Sequence, residues 1–443
     1  MIVRTAIPVI IHGIVQHVQI LIDQAFLGNL NSDYFTVLGN VVAPFWMTLG
    51  TVFMLNVGIT ILITQNIGAG RLQRACDVAS SAMKFNSVPT LALFIFWFFA
   101  GEAVFQVMGL HSDFVPLAAT YVRVLSFGFI IMGLNSAAAS IMQGIGTTGP
   151  MMIAGFIRNG LNIVLDWVLI YGKFGAPEMG LSGAALATVI SDYVATAYIV
   201  AYLFARKNSL GITIHSVLSA RLEPYIKSIK VGAPIGIGEI LWNMGNVVMV
   251  RYLNMVGPTA AGIFMLVINI EMLPVLLYLG FAKASTTYVG RKIGERKEHE
   301  ALGIGVTCFL YSFVISAVIA LAFLLIPHQI LSLFTGDEAT VARAVPFLMF
   351  LSAVIFGRLF NILSGQSING YGDTKWMLYT QLFGTFYILS AAYLLAFVAG
   401  LGLWGIFMAL LSDEVVRAIV NTARFLKGPN RRGFTIDYEK LAY

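Results

Sequence analysis

Oxygen-bearing side chains recur at depth within long apolar stretches of this chain. Asp23 lies in the first stretch, Asn162 and Asp166 lie in another, and Thr188 lies in the next. A spacing of four residues places Asn162 and Asp166 on one face of a helix. The four residues together offer an all-oxygen site, which suits Na⁺ as a hard cation and equally a proton shared between carboxyl groups. The alternative is a hydrogen-bonded Asn–Asp pair that only stabilises the helices.

The composition indicates that lipid surrounds this chain. Its 443 residues are 58% hydrophobic and 11% charged, whereas a soluble domain carries roughly a quarter charged residues. Apolar stretches of about 20 residues recur along nearly the whole length, as membrane-spanning helices require. The net charge of +6 is spread over several loops, which favours cytoplasmic loops over a nucleic-acid surface.

Hydropathy predicts twelve spans, each of which is long enough to cross a bilayer. They lie near 5–29, 38–66, 84–108, 115–142, 151–172, 181–205, 226–254, 258–289, 301–326, 341–369, 376–398 and 402–426. Lys and Arg concentrate after the second, sixth and eighth spans and in the tail. This distribution predicts that both termini lie in the cytoplasm, and we expect a multi-pass protein of the plasma (inner) membrane.

The second half of the chain repeats the first. A shift of 226 residues pairs Pro8 with Pro234, 26–28 with 252–254, and 144–147 with 370–373, and a shift of 222 pairs 180–183 with 402–405. Under these shifts Asp23 falls on Met249, and Asp166 falls on the apolar stretch 388–392. The two halves therefore share a scaffold, and only the first carries acids at these depths.

The repeat predicts an all-α membrane protein with two six-helix lobes. Because six crossings return the chain to its starting side, the lobes are expected to be related by a pseudo-two-fold axis along the membrane normal. The predicted domains are an N-lobe (1–205), a cytoplasmic linker (206–225), a C-lobe (226–427) and a cytoplasmic tail (428–443).

Pro8 predicts a kink in the first helix, because proline removes a backbone hydrogen bond. One hypothesis is that ion binding at Asp23 shifts this bend. The alternative is a static kink, which is favoured because Pro234 repeats the proline without an acid partner.

Five motifs, in order, resemble those of the multidrug and toxic compound extrusion (MATE) family over nearly the whole chain. They are Pro8 with 22–28 (IDQAFLG), 64–70 (TQNIGAG), 143–147 (QGIGT), 162–166 (NIVLD) and 180–188 (GLSGAALAT). The resemblance implies a monomeric exporter of amphipathic, cationic organic compounds in exchange for protons or sodium, with no cofactor and no enzymatic activity. It is closest to the branch whose essential acids lie in the N-lobe. In that branch the ion site corresponds to Asp23, Asn162, Asp166 and Thr188.

The C-lobe departs from a second branch of that family, which carries a glutamate in the seventh helix and an acid in the tenth. Here those positions hold Trp242 and Arg358, with Glu239 about a turn before the first. This difference argues against a C-lobe cation site. Glu239, Glu271 and Arg358 are interpreted either as ion pairs that fix packing or as a polar wall of the substrate cavity. Asp413 and Glu414 are spaced to pair with Arg417 along one helix.

Parts of the sequence are compatible with two other functions. A lipid-linked saccharide flippase of the same superfamily would need a cationic cavity, for which Arg123, Arg251 and Arg358 are the candidates. A membrane-embedded enzyme would need a nucleophile–base pair or a metal cluster, and no such spacing is evident in the sequence. The N-lobe acids favour the exporter, and the lack of an ATP-binding loop favours an ion gradient as its energy source.

Overall fold

Long apolar runs of the sequence form α-helices, because a helix satisfies its own backbone hydrogen bonds without water. The computed structural model describes residues 1–30, 33–205, 209–335 and 337–428, and it describes the side chains between 20 and 55 and at Pro258 only in part. The first half contains α1 (Ile2–Leu30), α2 (Asp33–Gly68), α3 (Leu72–Phe85), α4 (Ser87–Val107), α5 (Val115–Ile145), α6 (Gly149–Tyr171) and α7 (Gly180–Ala205).

A short helix, α8 (Ile214–Leu218), precedes the second half. That half contains α9 (Glu223–Val256), α10 (Pro258–Gly294), α11 (Glu298–Leu325), α12 (Pro327–Ser332), α13 (Glu338–Tyr371), α14 (Thr374–Tyr393) and α15 (Leu403–Lys427). All twelve predicted spans coincide with helices. The third predicted span, 84–108, begins within α3 and continues through α4. The chain is thus helical from Leu72, before the predicted start, and Asn86 separates α3 from α4. Among the described residues, eight helices are long and apolar enough to cross a membrane by composition alone.

The paired glycines play the same roles in both halves. Gly146 and Gly372 end α5 and α13 with positive φ angles of 85° and 89°, a conformation that glycine adopts without steric cost. Two residues earlier, Gly144 and Gly370 allow a neighbouring helix to approach closely: a Cβ at Gly144 would lie 2.7 Å from Ile63. Glycine thus serves both the tight turn and the close helix approach in each half.

A second glycine contact explains why the shift changes from 226 to 222. A Cβ at Gly183 would lie 2.7 Å from the carbonyl oxygen of Leu169, and a Cβ at Gly405 would lie 2.7 Å from that of Leu395. Leu169 and Leu395 differ by 226 residues, whereas the glycines differ by 222. The second hairpin therefore makes the same backbone contact with a loop four residues shorter.

The described chain divides into two compact units. The C-terminal unit comprises Met1–Ile10, Thr64–Gly70 and the described chain from Pro234 onward; the N-terminal unit comprises Ile11–Ile63 and Arg71–Ala233. The boundary crosses α1 just after Pro8. The predicted lobe boundaries stay a prediction.

Within the C-terminal unit, the start of α1 and the end of α2 lie against α10 and α13. The Thr5 and Tyr288 hydroxyls lie 2.7 Å apart, and the Gln65 amide donates to the carbonyl of Gly370 at 3.0 Å. Two glycines permit this approach, since a Cβ at Gly294 would collide with the Gln65 carbonyl oxygen and one at Gly280 would lie 2.8 Å from the Ala6 carbonyl. We call these contacts the glycine seam.

A buried ion-pair cluster joins three helices of the C-terminal unit. Arg358 of α13 lies 2.7 Å from Glu271 of α10 and donates to Glu414 of α15 at 2.8 Å. Both carboxylates are almost completely buried. Asn361 donates to the second Glu414 oxygen at 2.9 Å, and Asn421 donates to Asn361 at 2.8 Å. The sequence interpretation of mutual ion pairing is therefore realised for Glu271 and Arg358.

The predicted pairing along α15 is confirmed. Arg417 lies 2.5 Å from Asp413 and 3.7 Å from Glu414. Its guanidinium also donates to Gln381 of α14 at 3.3 Å and lies over the ring of Trp242 of α9, 5.6 Å from the centroid. Arg417 therefore links α9, α14 and α15.

The glycine seam predicts that Gly294→Ala destabilises the protein. The added methyl group collides with backbone rather than with a flexible side chain, so the helices have to separate, at a cost of about 1–3 kcal/mol. Gly303→Ala is the matched control, because nothing lies within 4 Å of that position in α11. Thermal unfolding in detergent measures both. A Gly294→Ala variant as stable as Gly303→Ala would contradict the seam.

Arg358→Met is expected to destabilise the protein by roughly 3–5 kcal/mol, because it leaves two buried carboxylates without their counter-charge. The exposed Arg343 of the same helix supplies the control substitution, Arg343→Met. The triple variant Glu271→Gln, Arg358→Met, Glu414→Gln should recover part of the loss, since it removes the charges together. Equal melting temperatures for the two single variants would show that the cluster does not hold the helices together.

Candidate functional site

Helices α1 and α6 contact one another at three levels within the N-terminal unit. A Cβ at Gly155 would collide with the His12 ring, which therefore packs directly on α6. Seven residues further along α1, the Gln19 amide donates a short hydrogen bond to Asn162. Seven residues beyond that, Phe26 meets Tyr171 edge-on, and the Tyr171 hydroxyl donates to the Phe26 carbonyl at 2.9 Å. The two helices thus run parallel, with a polar level between an imidazole level and an aromatic one.

The polar level is closed to solvent. Gln19 and Asn162 are 4% and 2% exposed, and Asp166, one turn after Asn162, is 0% exposed. The structure therefore places Asn162 and Asp166 in the interior, as the site prediction requires. Asp23 falls within α1, and its side chain lies outside the described residues.

Thr188 lies at the level of Asn162 on the neighbouring helix. Helices α6 and α7 form an antiparallel pair whose register is fixed by Gly183 against Leu169 and by the ion pair between Arg158 and Asp192. Residue 188 then lies opposite residue 162. The Thr188 hydroxyl donates to the carbonyl of Ala184 in its own helix at 3.0 Å, so its role as an ion ligand stays a prediction.

Sequence reasoning missed two participants of this region. Gln19 precedes Asp23 by four residues, so helix periodicity places it on the same face. Arg158 precedes Asn162 by four residues in the same way. Both signals were present in the sequence, but the partners Asn162 and Asp192 lie on other helices and are visible only in the folded structure.

The corresponding contact in the second half is apolar. Tyr252 of α9 meets Phe397 edge-on at 5.8 Å, just as Phe26 meets Tyr171 at 6.0 Å, with both residues shifted by 226. In the second half, however, Gly245 corresponds to Gln19 and the buried Ile388 corresponds to Asn162. A Cβ at Gly245 would lie 2.9 Å from Thr385. The positions that match the two acids, Met249 and Ala392, belong to the same hydrophobic core as Ile388.

The three residues predicted for a substrate cavity differ in their surroundings. Glu271 is buried in the ion-pair cluster and Arg358, its partner there, is half-buried, whereas Glu239 of α9 is exposed. A role of Glu239 in binding an organic cation stays a prediction. Pro8 lies inside α1, which continues as one helix on both sides of it, and a change in the bend of this helix stays a prediction as well.

Comparisons with known proteins agree with this architecture. The sequence pattern of the MatE family matches residues 8–168 and 234–394, two segments that begin at the paired prolines Pro8 and Pro234. The probable multidrug resistance protein NorM of Thermotoga maritima is 25% identical over 444 residues, covering 99% of this chain and 94% of its own. The uncharacterized transporter YisQ of Bacillus subtilis is 25% identical over 369 residues, which cover 83% of this chain and 81% of YisQ.

A solved structure, the outward-facing conformation of a multidrug resistance MATE family transporter of the MOP superfamily, has a TM-score of 0.89 to this chain. It is 25% identical and covers 96% of this chain and 94% of its own. The likeness confirms the predicted all-α fold class with twelve membrane-spanning helices in two halves, while the symmetry axis between the lobes stays a prediction. Because the family pattern covers most of the sequence in both halves, this chain belongs to the MatE family of membrane transporters.

Proposed function

We propose that this chain is a secondary active antiporter that exports amphipathic organic cations in exchange for protons or sodium. The ion site comprises Asp23, Asn162, Asp166 and Thr188 of the N-lobe, as in the branch of the family whose essential acids lie there. The observation that carries this proposal is the buried hydrogen bond between Gln19 and Asn162 beside Asp166, at a level where the second half is apolar.

Helix periodicity supports the assignment of Asp23 to this site. Asp23 follows Gln19 by four residues and precedes Phe26 by three, and such neighbours share a helix face. Gln19 and Phe26 both contact α6. Asp166 follows Asn162 by four residues on α6, so the two acids are at matching levels of a parallel helix pair. Two carboxyl groups in a low-dielectric interior favour a bound cation or a shared proton, because two unpaired negative charges are costly there.

Transport follows from the linkage between ion binding and lobe conformation. An ion drives the change only if it binds one conformation more tightly than the other. The ion site adjoins α1, and the boundary between the two compact units crosses that helix just after Pro8. This arrangement supports a hinge at Pro8 through which the occupied and empty sites favour different conformations.

The substrate class rests on the relatives and on the composition. The T. maritima relative is a probable multidrug resistance protein, and this chain supplies 32 Phe, 17 Tyr and 18 Met. Aromatic faces attract organic cations, and methionine adapts to ligands of varied shape. The proposed setting is a monomer in the plasma membrane with both termini in the cytoplasm. The flippase alternative requires cationic side chains that are free to bind an anionic head group. Arg358 is not free for this role, because it is paired with two carboxylates.

Asp166→Asn and Asp23→Asn are expected to abolish ion-driven export of a fluorescent organic cation from proteoliposomes, because neither amide exchanges a proton or supplies a negative charge to a cation. Proton and sodium gradients are imposed separately, so the active gradient names the ion. Asp77→Asn, an exposed carboxylate on α3, is the control and should export normally. Normal ion-driven export by either site variant would refute its assigned role.

Gln19→Leu is expected to weaken ion binding while leaving the fold intact. The leucine removes the donor to a buried Asn162 oxygen, and such a loss costs about 1–3 kcal/mol, which corresponds to a shift of roughly 5- to 150-fold in the ion concentration for half-maximal export. Gln73→Leu is the control, because Gln73 is an exposed glutamine of α3 whose amide also donates to a side-chain oxygen, that of Asp77. An unchanged ion dependence in Gln19→Leu would show that this hydrogen bond does not serve the site.

A further inference from the structure

A salt bridge lies one helical turn away from the proposed ion site, and its two residues are not among those proposed to bind the ion. Arg158 precedes Asn162 by four residues on α6, and Asp192 follows Thr188 by four residues on α7. The Arg158 guanidinium donates a short hydrogen bond to Asp192. It also donates to the Asn159 side chain at 3.3 Å. Helices α6 and α7 therefore each carry one polar residue per helical turn in this region, and these residues face the other helix.

This salt bridge is more accessible to solvent than the buried polar layer that contains Asn162 and Asp166. The side chains of Arg158 and Asp192 are 25% and 24% exposed, whereas Asn162 and Asp166 are almost completely buried. The pair is thus a charged layer at the end of a closed polar layer. Because salt and water screen it only in part, its charges act on the buried layer through a medium of reduced dielectric.

We infer that Arg158 is a positioning residue that holds the Asp192 carboxylate out of the ion site and so keeps the bound cation releasable. Side chains of a helix tilt towards its N-terminus. On α7 this direction takes Asp192 towards Thr188 and the ion site, whereas on α6 it takes Arg158 away from Asn162. Without Arg158, a third carboxylate would lean towards a site that already contains two.

The second half shows what the same position does without an ion site. A shift of 222 places Asp192 on Glu414, which Arg358 and Arg417 hold within the core. In both halves the carboxylate at this level of the last helix is bound by arginine. Only in the N-lobe does it lie one turn from the residues proposed to bind the ion, which gives the N-lobe pair a role beyond packing.

The two partners of this pair have opposite effects on the ion. Arg158→Gln leaves a negative charge beside the site, so the cation is held more tightly and half-maximal export needs less ion. Asp192→Asn leaves a positive charge there, so half-maximal export needs more ion. At an effective dielectric constant near 20, a unit charge one to two helical turns (about 6–11 Å) from the cation shifts its affinity roughly ten- to a hundredfold in each direction. The double variant carries neither charge and should behave like the unaltered protein.

The experiment measures export of a fluorescent organic cation from proteoliposomes against the concentration of the driving ion on its entry side. The proteins are the unaltered chain, Arg158→Gln, Asp192→Asn, the double variant, and Arg123→Gln as a control arginine of the same unit. Opposite shifts in the two single variants that cancel in the double variant support the inference. Shifts of the same sign, or none, overturn it, because a purely structural pair has no reason to separate the two signs.

This inference rests on the proposed ion site, and Asp166→Asn in the same assay separates the two. If Asp166→Asn exports normally, the proposed function fails and the inference fails with it. If Asp166→Asn is inactive and the salt-bridge variants do not shift in opposite directions, only the inference fails. Should Arg158→Gln not accumulate in membranes, Arg158→Met replaces it, with a shift of the same sign, because methionine also removes the charge and its flexible, unbranched side chain fills a similar volume. No shift in that variant also overturns the inference.

Discussion

A charge within an apolar helix bundle has to be matched by an opposite charge or by hydrogen bonds, because leaving it unpaired costs several kcal/mol. This constraint organises both halves of the transporter. In the C-terminal unit Arg358 joins Glu271 and Glu414, and in the N-terminal unit Arg158 holds Asp192. Each pair joins different helices and fixes their rotation about their own axes. The charges therefore specify how the helices face one another, while apolar packing and glycine contacts set how closely they approach.

The repeat separates scaffold from function. Contacts that hold the scaffold occur in both halves at the same shift, as with the edge-on pair Phe26 and Tyr171 and its counterpart Tyr252 and Phe397. The layer next to this pair differs, because Gln19 and Asn162 in one half correspond to Gly245 and Ile388 in the other. Since the same helix pair packs with either filling, the polar layer is not needed to hold the helices together.

Much of the fold could be predicted because its signals are local. Span positions follow from hydropathy, the turns at Gly146 and Gly372 follow from glycine at a helix end, and Arg417 pairs with Asp413 because they lie one turn apart. The contacts of Gln19 with Asn162 and of Arg358 with Glu414 could not be predicted. Each joins helices far apart in the sequence, and hydropathy gives a helix its depth in the membrane but not which neighbour each face meets.

The scaffold does not require a polar layer between α1 and α6. Replacing buried polar or ionic groups by packed apolar ones is often neutral or stabilising, and Met249, Ile388 and Ala392 show that this scaffold accepts such a replacement. Under the proposed function, the ion that binds there accounts for a polar layer that stability does not require. Hydrogen bonds between amides and carboxyl groups can exchange partners at small cost when an ion enters or leaves, whereas a packed apolar core has one arrangement. The half that carries the polar layer is therefore the half in which binding of a small ion can most readily change how α1 is held.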